Sequence, residues 1–110
     1  MLETAALDAV MRTLADPTRR AVFERIVRSQ TISVADLTKD SGVSQSAVSQ
    51  HLRSLKAAGL VIDRPQGRNV FYQAEPKGLA PLFDWMSHYG IFWRERFVNL
   101  GALLKEIEHE

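Results

Sequence analysis

Between residues 45 and 57 the sequence reads QSAVSQHLRSLKA, with serine, glutamine and arginine spaced so that a helix would gather them on one side. If Val48 marks the centre of a buried face, steps of about 100° put Leu52 and Leu55 within about 40° of it. Ser46, Gln50, Arg53 and Ala57 then lie near the opposite pole, with Ser49 on the flank. The outward side chains are short or amide-bearing, unlike the long Glu and Lys residues common on solvated helices. That is the chemistry of major-groove reading: glutamine can bond adenine at two points, arginine can do the same for guanine, and serine fits between base and phosphate. The N-terminus of the helix adds backbone N–H groups that favour a phosphate. A solvated helix that is merely serine-rich would show the same face, so the neighbouring elements must decide.

Those neighbours are legible. Leu7, Val10, Met11 and Leu14 have helical spacing and predict a first helix from about Thr4 to Leu14. Asp16-Pro17 is a cap followed by a natural first helical residue, and Ala21, Val22, Ile26 and Val27 give the second helix an apolar face. Ser33 is placed to cap a two-turn helix, VADLTKDS, with Val34, Leu37 and Ala35 turned inward and Gly42 suited to its left-handed end. Ser44 caps the next helix after a turn of two or three residues, and Gly59 ends it. Short helix, glycine turn and longer helix make a helix-turn-helix over 33–59. Leu60 to Arg64 and Val70 to Ala74 are β-branched and aromatic runs around a Pro-Gln-Gly-Arg-Asn loop, which predicts a two-stranded wing over 60–75. Gly67 and Asn69 are the residues suited to positive φ in that loop. Arg64 and Arg68 on the wing can reach backbone phosphate or the minor groove.

From Leu82 onward, Met86, Tyr89, Trp93, Phe97, Leu100, Leu104 and Ile107 recur at the helical period. They predict one long helix over 79–108, or two nearly collinear helices with a weak point at Gly90. At a rise of about 1.5 Å per residue it would measure about 40 Å, more than the rest of so small a chain can cover. Burial against the same helix of a second copy, with the first helix alongside, resolves the mismatch. The interface would then use Leu7, Met11, Met86, Tyr89, Trp93, Phe97, Leu100 and Leu104. The fold class expected is mainly α with a small β-hairpin wing, about five helices, and dimerisation through the first and last.

Composition sets limits on this reading. The 110 residues, 45% hydrophobic and 25% charged, suit a single globular domain over 1–110. No apolar run approaches the length of a membrane span and no signal-peptide pattern opens the chain, so a soluble, cytoplasmic protein without membrane contact is expected. With no cysteine, the sequence excludes disulfides, thiolate metal sites and a cysteine nucleophile. The net charge of +1 decides little, but its distribution is uneven. Residues 44–74 carry Arg53, Lys56, Arg64 and Arg68 against Asp63, whereas the tail from residue 102 has Lys105 against Glu106, Glu108 and Glu110. A glycine-rich phosphate loop and any recognisable Ser/His/acid arrangement are absent, which argues against an enzyme. No cofactor is expected.

LADPTRRAVFERI, ADLTKDSGVSQSAVSQHLRSLKAAGLV and DRPQGRNVFYQ together closely resemble the ArsR/SmtB-type winged helix-turn-helix repressors, over about residues 7 to 75. The resemblance implies a homodimer that represses transcription by binding an inverted-repeat operator, with two recognition helices in successive major grooves of double-stranded DNA. It carries DNA contact to Gln45, Ser46, Ser49 and Gln50, with Arg53, Arg64 and Arg68 as phosphate partners. His51, about 60° from the buried centre, is open to either packing or base contact. The rival reading is a winged-helix protein-interaction module that has lost DNA binding, since fold does not determine function. Such a module should have lost the Ser/Gln/Arg face, which this chain keeps.

The sensory sites of better-known members are missing. Thiophilic-metal sensors carry cysteines around the third helix, where this chain has Ser33, Val34 and Ala35, and zinc sensors carry ligands where it has Pro76, Gly78, Tyr89 and Phe92. Asp84 with His88, and His109 in the acidic tail, fall short of a ligand set, so no metal site is assigned. The aromatic group from Phe83 to Phe97 has two open uses: dimer core, or a pocket for an apolar small-molecule effector. A protein effector stays open as well. FDWMSHYGIFWRERFVNLGALLKEIE also looks like a branch with a Trp-Arg-x-Arg segment in place of the metal-site helix, in which Arg94 and Arg96 either pair with a partner's acids or face solvent.

Overall fold

The computed structural model describes residues 2–109, without the side chains at 2, 3, 91, 93, 100, 103, 104, 108 and 109. Its described elements are α1 (Leu2–Ala15), α2 (Pro17–Ser29), β1 (Ile32–Ser33), α3 (Val34–Lys39), α4 (Gln45–Ala57), β2 (Val61–Gln66), β3 (Asn69–Ala74), a 3-10 helix (Pro76–Leu79), α5 (Ala80–His88) and α6 (Gly90–His109). This is a mainly helical winged helix-turn-helix. No described helix is long and apolar enough to cross a membrane.

Local chemistry places most boundaries. Asp16 accepts a hydrogen bond from the Arg19 backbone N–H at 3.0 Å and so caps α2, with Pro17 in the first turn. The Arg20 guanidinium donates to the Leu14 carbonyl at 2.7 Å and Arg19 to that of Thr13 at 3.3 Å, so two cations close the C-terminal end of α1. Arg25 does the same for α3, donating to the Leu37 carbonyl at 3.1 Å and tying α2 to the first helix of the helix-turn-helix. Ser33 caps α3 by accepting from the Asp36 N–H at 3.1 Å.

The wing is larger than the expected hairpin. Its sheet has three antiparallel strands in the order β1-β3-β2, because Ile32 and Ser33 pair with Tyr72 and Phe71. The hairpin turn is also tighter than the expected loop: Pro65 pairs with Val70 and Gln66 with Asn69, leaving Gly67 and Arg68 as the turn. Gly67 has φ +61°, suited to the first central position of a type II′ turn, while Asn69 stays in the strand without positive φ.

The core joins α1, α2, α3, α4 and the wing root through Val10, Val22, Phe23, Ile26, Leu37, Val48, Leu52, Leu55, Leu60 and Val61, all buried. On α2 the inward set is Val22, Phe23 and Ile26, not the expected Ala21 and Val27, which are exposed. Ala35, expected inward, is exposed as well. The C-terminal segment takes the two-helix alternative, broken at Tyr89, so there are six α-helices among the described residues. Leu7 is half-buried, and α5 packs on α1. Met11, Met86, Tyr89 and Phe97 remain exposed in the single chain. Trp93, Leu100 and Leu104 of the expected interface, and His109, have side chains outside the described residues.

Candidate nucleic-acid interface

The interface is built on α4. Ser44 opens the helix by accepting from the Ala47 N–H at 3.1 Å. At the other end the Leu60 N–H bonds the Leu55 carbonyl and the Gly59 N–H bonds that of Lys56, both at 3.0 Å, with Gly59 at φ +78°. These bonds form a Schellman motif, and Leu55 and Leu60, which hold its two apolar positions, are both fully buried in the core. Helix end and core are thus one structure.

Between the two caps the inner face is sealed, with Val48 0%, Leu52 1% and Leu55 0% exposed. Gln45, Ser46, Gln50 and Arg53 are therefore held outward, all exposed, and Ser49 is half-buried on the flank. The preceding turn is organised by Ser41, a residue the sequence pattern did not single out. Its hydroxyl bonds the Thr38 carbonyl at 2.9 Å and accepts the Val43 N–H at 3.2 Å, beside Gly42 at φ +75°. Only Ser41, Gly42 and Val43 separate the caps of α3 and α4.

An open cleft runs between α4 and the wing. Gln45, Ser49 and Arg53 line one side and Arg68, Asn69 and Tyr72 the other, with Ala35 of α3 also contributing. The structure therefore brings four of the expected contact residues together. Ser46 and Gln50 lie outside the cleft lining, on the outer surface of α4. Arg64 is exposed on β2, and strand alternation puts it on the opposite face from Asp63, which lines the cleft.

Charge in the cleft is mixed. Asp63 is bonded to Lys56 at 3.0 Å, a link from the last turn of α4 to the middle of β2. Tyr72, paired directly with Asp63 across the sheet, has its hydroxyl pKa raised above 10.0, chiefly by burial and then by the Asp63 carboxylate. His51 lies on the inner flank, half-buried, with Nδ1 buried and without a hydrogen-bond partner. It stands near Asp16, whose pKa is lowered from 3.8 first by the Arg19 N–H and, against partial desolvation, also by His51. That placement favours packing.

Elsewhere, Asp84 and His88 line a separate pocket with Trp85 and Leu7, and no described group of three His, Asp or Glu residues could hold a metal ion. The Arg96 guanidinium lies 3.8 Å over the Phe92 ring.

Comparison with known proteins agrees with this geometry. A family model described as a helix-turn-helix domain matches residues 14–64. The HTH-type transcriptional regulator Rv2034 of Mycobacterium tuberculosis is 49% identical over 97 residues, covering 88% of this chain and 87% of that protein. The HTH-type transcriptional repressor SmtB of the same species is 38% identical over 86 residues, 77% of this chain and 63% of its own. The chain belongs to the ArsR/SmtB family. An ArsR-like transcriptional regulator from Rhodococcus sp. RHA1 superposes with a TM-score of 0.74 at 27% identity, over 94% of this chain and 96% of that one. As a member of the ArsR/SmtB family, the protein is a DNA-binding transcriptional regulator and not an enzyme.

Proposed function

We propose that this regulator is a homodimeric repressor that binds an inverted-repeat operator, with 33–59 as its helix-turn-helix, 60–75 as its wing and 79–108 as its dimerisation segment, all within a single domain over 1–110. The observation that carries the reading is the shared cleft: a capped, core-anchored α4 turns Gln45, Ser49 and Arg53 toward the same opening as wing Arg68. Gln45, Ser46, Ser49 and Gln50 read base edges, while Arg53, Arg64 and Arg68 supply phosphate contacts and most of the salt-dependent affinity. Dimerisation is supported by the exposed apolar side chains of α5 and α6, including Phe83 at 69%, Met86 at 52% and Val98 at 64%, which a lone chain would leave in water. Two-fold pairing would set the half-sites about one helical turn, or a multiple of it, apart.

Selection of bound DNA from a random pool tests the reading. An enriched inverted repeat is expected, and failure to enrich any sequence would shift the assignment to a protein-interaction module. Binding titrations across salt then separate the roles. Arg68→Ala should weaken binding to all sequences and reduce the salt slope by about one, whereas Gln50→Ala should chiefly relax discrimination at one base step.

A further inference from the structure

Asp63 poses a problem that the proposed function does not answer. A carboxylate in a cleft meant for nucleic acid repels the phosphates, yet Asp63 lines that cleft beside Arg53 and Arg68. Its Lys56 partner at 3.0 Å cancels the charge. The pair is solvent-accessible, with the Lys56 side chain 54% and that of Asp63 29% exposed, so it adds little to folding stability. Its place in the wing is more telling. Val61 is buried and Asp63 half-buried, but every residue from Arg64 to Asn69 is exposed. Asp63 is thus the last β2 position held to the protein body before the wing projects. Directly across the sheet it meets half-buried Tyr72, which in turn pairs with Ile32 of β1. Any change in the angle between β2 and α4 at this point is carried out along the strands to Arg68.

We propose that the Lys56–Asp63 ion pair is a positioning device for DNA reading: it sets the wing relative to α4, so that Arg68 and the α4 reading residues engage one duplex in a single register. Lys56 is accordingly committed to Asp63 rather than to phosphate. The proposal rests on the operator-binding reading above, and it predicts an effect on discrimination between sequences rather than on affinity in general.

Two variants of unchanged net charge test it. Lys56→Gln/Asp63→Asn removes the pair, and Lys56→Arg/Asp63→Glu rebuilds it from longer groups. Affinity is titrated for the selected operator and for unrelated DNA of equal length, at several salt concentrations, with circular dichroism as the check on folding. The neutral variant should lose about two- to five-fold in the ratio of operator to unrelated affinity, the range an exposed pair can supply, with a salt slope matching the parent's. The rebuilt pair should keep the parent's ratio. A neutral variant with the parent's ratio overturns the proposal, as does a salt slope in it shallower by about one, which would make Lys56 a phosphate contact. A rebuilt pair that loses as much as the neutral one, with an unaltered dichroism spectrum, overturns it too. A parent protein that binds no DNA removes the operator reading and this proposal together, whereas the other failures leave the operator reading standing.

Discussion

Helix α4 and the C-terminal helices are both amphipathic, and they end differently in the single chain. On α4, Val48, Leu52 and Leu55 are no more than 1% exposed, and the polar face is the part left for a partner. On α5 no residue is buried, and Phe83, Trp85 and Met86 are from 41% to 69% exposed. On α6 every described side chain from 92 to 99 is exposed. One helix finishes its packing within the chain and offers hydrogen-bonding groups; the other pair offers apolar surface. The contrast separates two kinds of partner, because polar groups fixed by a rigid core suit a hydrated duplex, while unburied aromatic and aliphatic area suits another protein surface.

Mutations on the two sides should therefore fail in different ways. Leu55→Ala removes a side chain shared by the core and the Schellman end of α4, and should cost about 2–5 kcal/mol in urea unfolding. Met86→Glu on the unfinished side should leave the helical spectrum nearly intact and yield monomers in sedimentation equilibrium. Its affinity for a two-half-site operator should drop by roughly 100-fold or more as the second contact becomes independent. If Met86→Glu instead unfolds the chain, the comparison between a finished and an unfinished side fails.

Gly78 lies where the two regions meet. A Cβ there would strike the carbonyl oxygen of Gly59, the residue that ends α4. Gly78→Ala should cost about 1–3 kcal/mol and, by shifting the end of α4, reduce operator affinity, readable in unfolding and binding titrations. The smallest expected effect is at Asp16. Its pKa is lowered from 3.8 in the folded chain, so its contribution is present above that value and is lost as pH falls through the lower folded pKa. Asp16→Asn keeps a capping oxygen but cannot titrate. The stability difference between parent and variant should therefore shrink only below about pH 4, in thermal melts taken across that range.

Much of the helix-turn-helix half is visible in the sequence because its signals are local. Asp16, Ser33 and Ser44 each cap by bonding an N–H three residues on, and Gly42, Gly59 and Gly67 take the positive φ that their turns require. The phase of α4 follows from Val48, Leu52 and Leu55 alone. The features without a local signal depend on distant partners. β1 is two residues long and exists through pairing with β3, some forty residues later. Phe23, rather than Ala21 and Val27, joins Val22 and Ile26 in the α2 core, on the side where α2 packs against α1, α4 and β3. Asp63 reads as one acid among basic residues until β2 folds back along α4 and brings it to Lys56.

The amino-acid sequence by itself determined the helix-turn-helix, the outward Ser/Gln/Arg face and the family resemblance, since these rest on caps, glycines and periodicity acting over a few residues. Tertiary structure decided which of those residues share a cleft, that the wing has a third strand, and that Gly78 must lack a side chain where it meets the Gly59 carbonyl. Those outcomes depend on contacts between segments far apart in the chain, and no local spacing encodes the distance between them.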